Sequence, residues 1–237
     1  MKKAIIIGAS SGIGRELAKI LSIENYCVGI AARRKELLDS LGKEINSGYI
    51  LQTDVSKTHN AAEQLLELIE NMGGVDLVVI CAGVGYLNPD LNWEMESETI
   101  DVNVRGFTCL ADAAMRYFLK KGKGHLVGIS SIAAIRGSGV CPAYNASKAY
   151  MSNYLEGLRC LANKKNKNIR ITDIQPGLVD TRMAQGEKLF WVAKPEAAAR
   201  QIYHIVQSGT VRGYVTRRWG LIAFCYKIMP EWLYRNI

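Results

Sequence analysis

Ala4-Ile5-Ile6-Ile7-Gly8-Ala9-Ser10-Ser11-Gly12-Ile13-Gly14-Arg15-Glu16-Leu17-Ala18-Lys19-Ile20-Leu21 reads as a strand, a tight turn and a helix. The isoleucine run supplies a buried strand, and residues 15–21 have helical periodicity. Glycines let the backbone turn sharply and let an anion approach the helix N-terminus. There the unpaired N–H groups and the helix dipole favour a pyrophosphate. The spacing is G-x-x-x-G-x-G. It matches neither the G-x-G-x-x-G fingerprint nor the phosphate loop that ends in Gly-Lys-Ser/Thr. Taken alone, the glycine cluster is also compatible with a plain turn.

The same alternation continues outward from this unit. Strand-like runs recur near 26–31, 49–53, 75–80, 125–130, 169–174 and 213–216, after the first at 4–8. Helical patterns fall between them, near 12–24, 34–46, 58–71, 97–121, 142–163 and 195–208. This order predicts an α/β chain with a mostly parallel, seven-stranded, doubly wound sheet and helices on both faces. Such sheets bind ligands at the carboxyl ends of their strands. Gly8, Arg33, Asp54, Gly83, Ser131 and Pro176 all fall at or after a predicted strand end. No repeat, low-complexity tract or linker divides the chain. Residues 1–218 are expected to form one dinucleotide-binding and catalytic domain, and 219–237 an apolar C-terminal extension.

Tyr144 and Lys148 are four residues apart in Pro142-Ala143-Tyr144-Asn145-Ala146-Ser147-Lys148, with Ser131 thirteen residues upstream. Positions i and i+4 share a helix face, so both side chains can enter one cleft. A free phenol, with a pKa near ~10, is a poor acid–base catalyst at neutral pH; a nearby ammonium favours the phenolate. Ser131 can hold a carbonyl oxygen while Tyr144 moves the proton. The pair alone is common and more often an incidental surface arrangement.

The glycine turn together with this trio resembles the classical short-chain dehydrogenase/reductase family, from Lys3 to about Gly213. The resemblance implies a Rossmann-type fold, catalysis by Asn103, Ser131, Tyr144 and Lys148, and a nicotinamide dinucleotide as cofactor. Gly8, Ser10, Ser11, Gly12, Ile13 and Gly14 would hold its pyrophosphate, Asp54 and Val55 its adenine. Ala82 and Gly83 would also contact the cofactor. Pro176, Gly177, Val179 and Thr181 would lie beside the nicotinamide, and Lys148 would hold its ribose hydroxyls. Asn103 resembles a residue that positions a relay water; the alternative is an Asn satisfied by nearby backbone. Two positions depart from the family pattern. Ile7 replaces a Thr before the first glycine, and Cys81 replaces an Asn after the fourth strand. Both changes are expected to alter the bracing of the sheet and not the chemistry.

After the second strand the chain reads Ile30-Ala31-Ala32-Arg33-Arg34. Ala32 stands where NAD-preferring relatives carry a carboxylate that repels a 2′-phosphate. Arg33, with Arg34 beside it, can grip that phosphate, and Ser11 and Arg15 can assist. NADP(H) is therefore the expected cofactor, with NAD(H) the alternative. On the other reading the two arginines are helix-start surface charges.

Bulk properties bound the rest. The six cysteines form no C-x-x-C pair and have no histidine cluster, which argues against a metal site and for a reducing, cytoplasmic setting. A net charge of +8 comes without an aromatic-interleaved basic motif, so nucleic acid is not an expected partner. Val84–Leu87, Ile132–Cys141 and Arg182–Lys194 are the candidate substrate loops. Met183, Phe190 and Trp191 suggest a pocket for an apolar carbonyl or alcohol substrate; core packing or a subunit contact is the alternative. Cys141 is read as a packing residue. The family implies a homodimer or homotetramer through the helices near 97–121 and 142–163. The tail from Trp219 to Tyr234, preceded by Arg217 and Arg218, could cap the cleft, pack on a partner subunit or lie peripherally on a membrane surface. Two other functions stay open. One is a dinucleotide sensor without turnover, and the other an epimerase on the same scaffold.

Overall fold

Ala4 and Ile6 face one side of a sheet, and Ile5 and Ile7 the other; all four are buried. A strand covered on both faces is what a continuous apolar run of this length predicts. The computed structural model describes residues 1–181, 183 and 190–234. The strands are β1 (Lys3–Ile7), β2 (Cys27–Ala32), β3 (Ile50–Gln52), β4 (Leu77–Ile80), β5 (Lys123–Ile129), β6 (Asn168–Pro176) and β7 (Arg212–Val215). They form one sheet in the order β3-β2-β1-β4-β5-β6-β7, and every pairing is parallel.

The helices are α1 (Gly12–Ile23), α2 (Lys35–Glu44), α3 (Thr58–Asn71), α4 (Trp93–Ile100), α5 (Phe107–Lys121), α6 (Pro142–Lys164), α7 (Pro195–Ser208), α8 (Trp219–Ile228) and α9 (Glu231–Tyr234). Leu17 and Leu21 of α1, Leu38 of α2 and Ile202 of α7 bury one sheet face together with Ile6 and Ile30. Leu65 of α3, Phe107 and Phe118 of α5 and Leu155 of α6 bury the other with Ile5 and Ile7. The chain moves outward from β1 to β3, then returns to place β4 on the far side of β1. A crevice opens at that reversal, between the carboxyl ends of β1 and β4.

The expected helix near 97–121 is three pieces. Asn92 caps α4 by accepting from Met95 N at 3.1 Å, so helix begins at Trp93. A π-helical turn, Asp101–Gly106, then joins α4 to α5. The tail is also helical, as α8 and α9. No helix among the described residues is long and apolar enough to cross a membrane.

Candidate active site

Gly8 follows β1 with φ +94 and donates to Ala31 O at 2.7 Å. A Cβ there would lie 2.5 Å from Ala82 N, so the glycine turn lies directly against the segment leaving β4. Thr181 also packs on the turn: a Cβ on Gly12 would lie 3.0 Å from its methyl. Pro176 ends β6, Gly177 N donates to Val215 O at 2.6 Å, and buried Val179 bridges to Ala193. The structure thus gathers Ser10, Ser11, Ile13, Gly14, Ala82, Gly83 and the Pro176–Thr181 segment around one crevice.

At the end of β2 the two arginines behave differently. Arg34 Nη2 donates to Ser10 Oγ at 2.8 Å and Ser11 Oγ at 2.7 Å, placing its guanidinium on the glycine turn. Arg33 is more exposed and lies 3.5 Å from Glu98 Oε1. Arg15, expected to assist at the turn, instead reaches α2, donating to Glu44 at 2.7 Å and Leu37 O at 3.2 Å. Asp54 accepts from Ser56 N at 3.0 Å and Ser56 Oγ at 2.8 Å. Burial pushes its pKa up, but the Ser56 bonds and the charges of Arg33 and Lys57 outweigh that and hold it below the ordinary carboxylate value. Val55 is buried beside it.

The candidate acid–base residues converge on the carboxyl side of β4 and β5. Ser131 caps the 3₁₀ turn Ile132–Ala134, its Oγ accepting from Ala133 N at 3.1 Å and lying 3.4 Å from Pro176 O. Helix α6 begins with Pro142 in its first turn, which fixes the start from which Tyr144 and Lys148 project. The Ser131 hydroxyl is near enough to the Tyr144 phenol to favour its charged form. Lys148 is 4% exposed; its Nζ donates to Ile129 O at 3.0 Å and lies 5.7 Å from the centre of the Tyr144 ring. Burial lowers the lysine pKa to about 8, against the pull of Cys81 and Asp173. Burial raises the phenol pKa; the Ser131 hydroxyl works downward and Cys141 upward. The lowering of the phenol expected from the sequence is therefore absent in this arrangement. The ammonium is spent on a backbone carbonyl, and desolvation dominates.

Asn103 sits on the π-helical turn, fully buried. Its Nδ2 donates to Val84 O at 2.7 Å and Ser147 Oγ at 3.0 Å, and its Oδ1 accepts from Val84 N at 2.9 Å. Both amide hydrogens are taken, so Asn103 braces the segment after β4 against α6. Gly83 lies in the angle between these groups. A Cβ there would be 3.2 Å from Asn103 Oδ1 and 3.4 Å from Lys148 Nζ.

The family model described as short chain dehydrogenase matches residues 2–189. The chain belongs to this family. An uncharacterized oxidoreductase of Myxococcus xanthus is 36% identical over 188 residues, covering 77% of this chain and 74% of that protein. Another, from Staphylococcus epidermidis, is 30% identical and covers 78% and 81%. The X-ray structure of an alcohol dehydrogenase from the archaeon Thermococcus sibiricus, complexed with 5-hydroxy-NADP, superposes with a TM-score of 0.76. It is 26% identical, covering 90% of this chain and 94% of that one.

In this short chain dehydrogenase, one buried group escaped the sequence reading. Asp173 of β6 is fully buried and accepts from Ser130 Oγ at 2.5 Å, Ser152 Oγ at 2.6 Å, Gln175 Nε2 at 2.8 Å and Arg212 Nε at 3.2 Å. It ties the residue before Ser131 to α6, one turn beyond Lys148. The only local signal is a carboxylate inside the strand run Ile169–Ile174. The two family departures are also placed. Ile7 joins the core, and Cys81 lies beside Lys148 with its thiol pushed up to about 11 by burial.

The described parts of the candidate substrate loops lie around the crevice mouth. A Cβ on Gly85 would lie 2.7 Å from the Tyr144 ring, and Tyr86 donates to Glu98 Oε2 at 2.5 Å. Asn88 N donates to Val140 O at 2.7 Å, joining the loop after β4 to the loop after β5. Cys141 Sγ donates to Asn145 Oδ1 at 3.2 Å, as a packing residue would. Phe190, Trp191 and Trp219 form an aromatic cluster, with ring centres 5.3–6.1 Å apart. Arg182 and residues 184–189 of the third loop lie outside the described residues. An open groove of about 520 Å³ is at the other end of the sheet, lined by Lys2, Tyr26, Asp76, Lys123 and Arg170; none of the acid–base residues borders it.

Proposed function

We propose that this chain transfers a hydride between NADP(H) and a carbonyl or secondary-alcohol carbon, with Tyr144 as general acid and base. The observation that carries this reading is the convergence of Ser131, Tyr144 and Lys148 beside a glycine-lined crevice. The residues present fit a dinucleotide. Without a Cβ, Gly8 and Gly83 let the segments at the ends of β1 and β4 pack closely, and the start of α1 presents an anion-favouring helix end beside them. Bound there, the nicotinamide would supply or accept the hydride.

The chain's own groups do the rest. Ser131 and Tyr144 hydrogen-bond the substrate oxygen, and Tyr144 gives it a proton in reduction. A phenol whose pKa burial raises stays protonated at neutral pH, which suits it to that direction. Lys148 adds positive charge next to the oxygen where negative charge develops, and would hold the ribose hydroxyls. Asn103 keeps the Val84 backbone and α6 in register beneath them. Arg34, on Ser10 and Ser11, and Arg33 beside it are suited to a 2′-phosphate, since no carboxylate occupies Ala32. A homodimer or homotetramer through α5 and α6 and a cytoplasmic setting accompany this reading as family-derived proposals.

The test follows reduced-nicotinamide absorbance over a panel of apolar carbonyls with NADPH and NADH. Oxidation of NADPH at the higher kcat/KM is expected. Replacing both arginines (Arg33→Ala with Arg34→Ala) should cost NADPH roughly tenfold to a hundredfold, and NADH little, because charge-assisted bonds are lost. Preference for NADH in the unaltered chain would overturn the cofactor assignment. Product formed without net change in absorbance would instead indicate an epimerase, and dinucleotide binding without turnover a sensor.

A further inference from the structure

Helix α8 is apolar on both sides but packed on only one. Trp219 and Ala223 face the domain and are buried. Leu221, Phe224 and Ile228 are 65%, 58% and 64% exposed, and Cys225 is exposed with them. At about 100° per residue these four fall within a sector of about 100°. That outward sector holds no charged residue, whereas a water-facing helix normally turns its polar side outward.

The charges beside this face are mostly positive. Arg217 and Arg218 precede α8 and Lys227 borders it, all exposed; among the described residues from Thr216 to Tyr234 the only acid is Glu231. The two arginines stand at the helix N-terminus, where the dipole disfavours cations. Helix capping therefore does not account for them, although Arg218 also donates to Trp191 O at 3.3 Å and stacks 4.9 Å from that ring's centre. A two-fold contact between copies through this face would set Arg217, Arg218 and Lys227 against the same cations of the second copy. An anionic surface complements both the apolar sector and its cationic border.

The helix is also anchored at the crevice mouth. Arg136, in the loop after β5, donates to Met229 O at 2.9 Å and stacks on the Tyr234 ring at 4.7 Å. Tyr234 donates to Gly137 O at 2.6 Å. Trp219 lies over Gly177 and against Phe190 and Trp191.

We infer that the outer face of α8, with Arg217, Arg218 and Lys227 at its border, docks this protein on the interface of an anionic lipid bilayer, with the crevice mouth beside the membrane. The contact stands on the surface itself. Only its use, giving an apolar carbonyl a route from lipid to Tyr144, rests on the proposed reductase reading.

Co-sedimentation of the full chain with vesicles tests it. One set is phosphatidylcholine alone, the other an equal mixture with phosphatidylglycerol. The full chain should pellet with the mixed vesicles, bind the neutral ones weakly, and be released by high salt. A variant carrying Leu221→Ser, Phe224→Ser and Ile228→Ser should lose more than about tenfold of that binding, since three apolar side chains leave the interface. Sedimentation velocity without lipid should give both proteins the same mass. Turnover of a water-soluble carbonyl without vesicles should also match, which separates this outcome from failure of the redox reading or of folding. Equal pelleting of the two proteins, or no pelleting of the full chain with either vesicle, overturns the inference. So does an oligomer of the full chain that the variant dissolves without any vesicle binding, which would mark the face as a subunit contact.

Discussion

Lys148 holds an ammonium where water does not reach, and its titration carries a signature. Its folded-state pKa of about 8 is below the ordinary 10.5, so between those values the folded chain binds fewer protons than the unfolded one. Stability therefore gains as pH rises through that window, on the order of 1 kcal/mol per pH unit. Cys81 acts oppositely. Its thiol is raised from 9.0 to about 11, so the folded chain retains a proton that the unfolded one loses, and stability declines above about 9. The clean window is pH 8 to 9. Denaturant midpoints there should rise for the unaltered chain and stay level in Lys148→Met; a parallel course for both would contradict the assignment. Residue-scale roles were only partly legible from sequence. The Tyr144–Lys148 spacing was visible because i and i+4 share a face. That Arg34 and not Arg33 would reach Ser10 and Ser11 was not, because side-chain direction at a strand end depends on the turn beyond it. Asp173 was also hidden, since its partners Ser130, Ser152 and Arg212 lie 21–43 residues away.

At the level of elements, the site depends on segments that fit without spare room. A Cβ on Gly177 would lie 2.1 Å from the Trp219 indole, so Gly177→Ala must displace either α8 or the strand end that carries Pro176. Overpacking of this kind costs about 1–3 kcal/mol. Tryptophan emission should shift red as Trp219 leaves its pocket, and turnover should fall. Unchanged emission and turnover would contradict the packing described. The π-helical turn is the counterpart on α5. Gly106 passes so close to Val55 that a Cβ would be 2.6 Å from the carbonyl oxygen, and Asn103 must meet Val84. Those are tertiary demands, absent from the 3.6-residue periodicity, which is why the sequence suggested one helix near 97–121. The tail suffered the reverse problem. Apolar residues all round α8 give no amphipathic pattern, so its helical state went unread.

For the whole molecule, the order of elements was legible because each glycine- and loop-bounded apolar run was short and each was followed by a helical pattern. Right-handed crossovers then leave few arrangements, and the observed strand order is one of them. The reversal between β1 and β4 places Gly8 and Gly83 across from each other, and the carboxyl ends of β5 and β6 bring Ser131 and Pro176 beside them. The proposed reduction needs that convergence and one proton from Tyr144. The most direct measurement is turnover of Tyr144→Phe with NADPH and its best carbonyl, alongside NADPH affinity followed by fluorescence. The account predicts turnover reduced by at least about two to four orders of magnitude with affinity little changed. Turnover near that of the unaltered chain, with NADPH still bound, would contradict it.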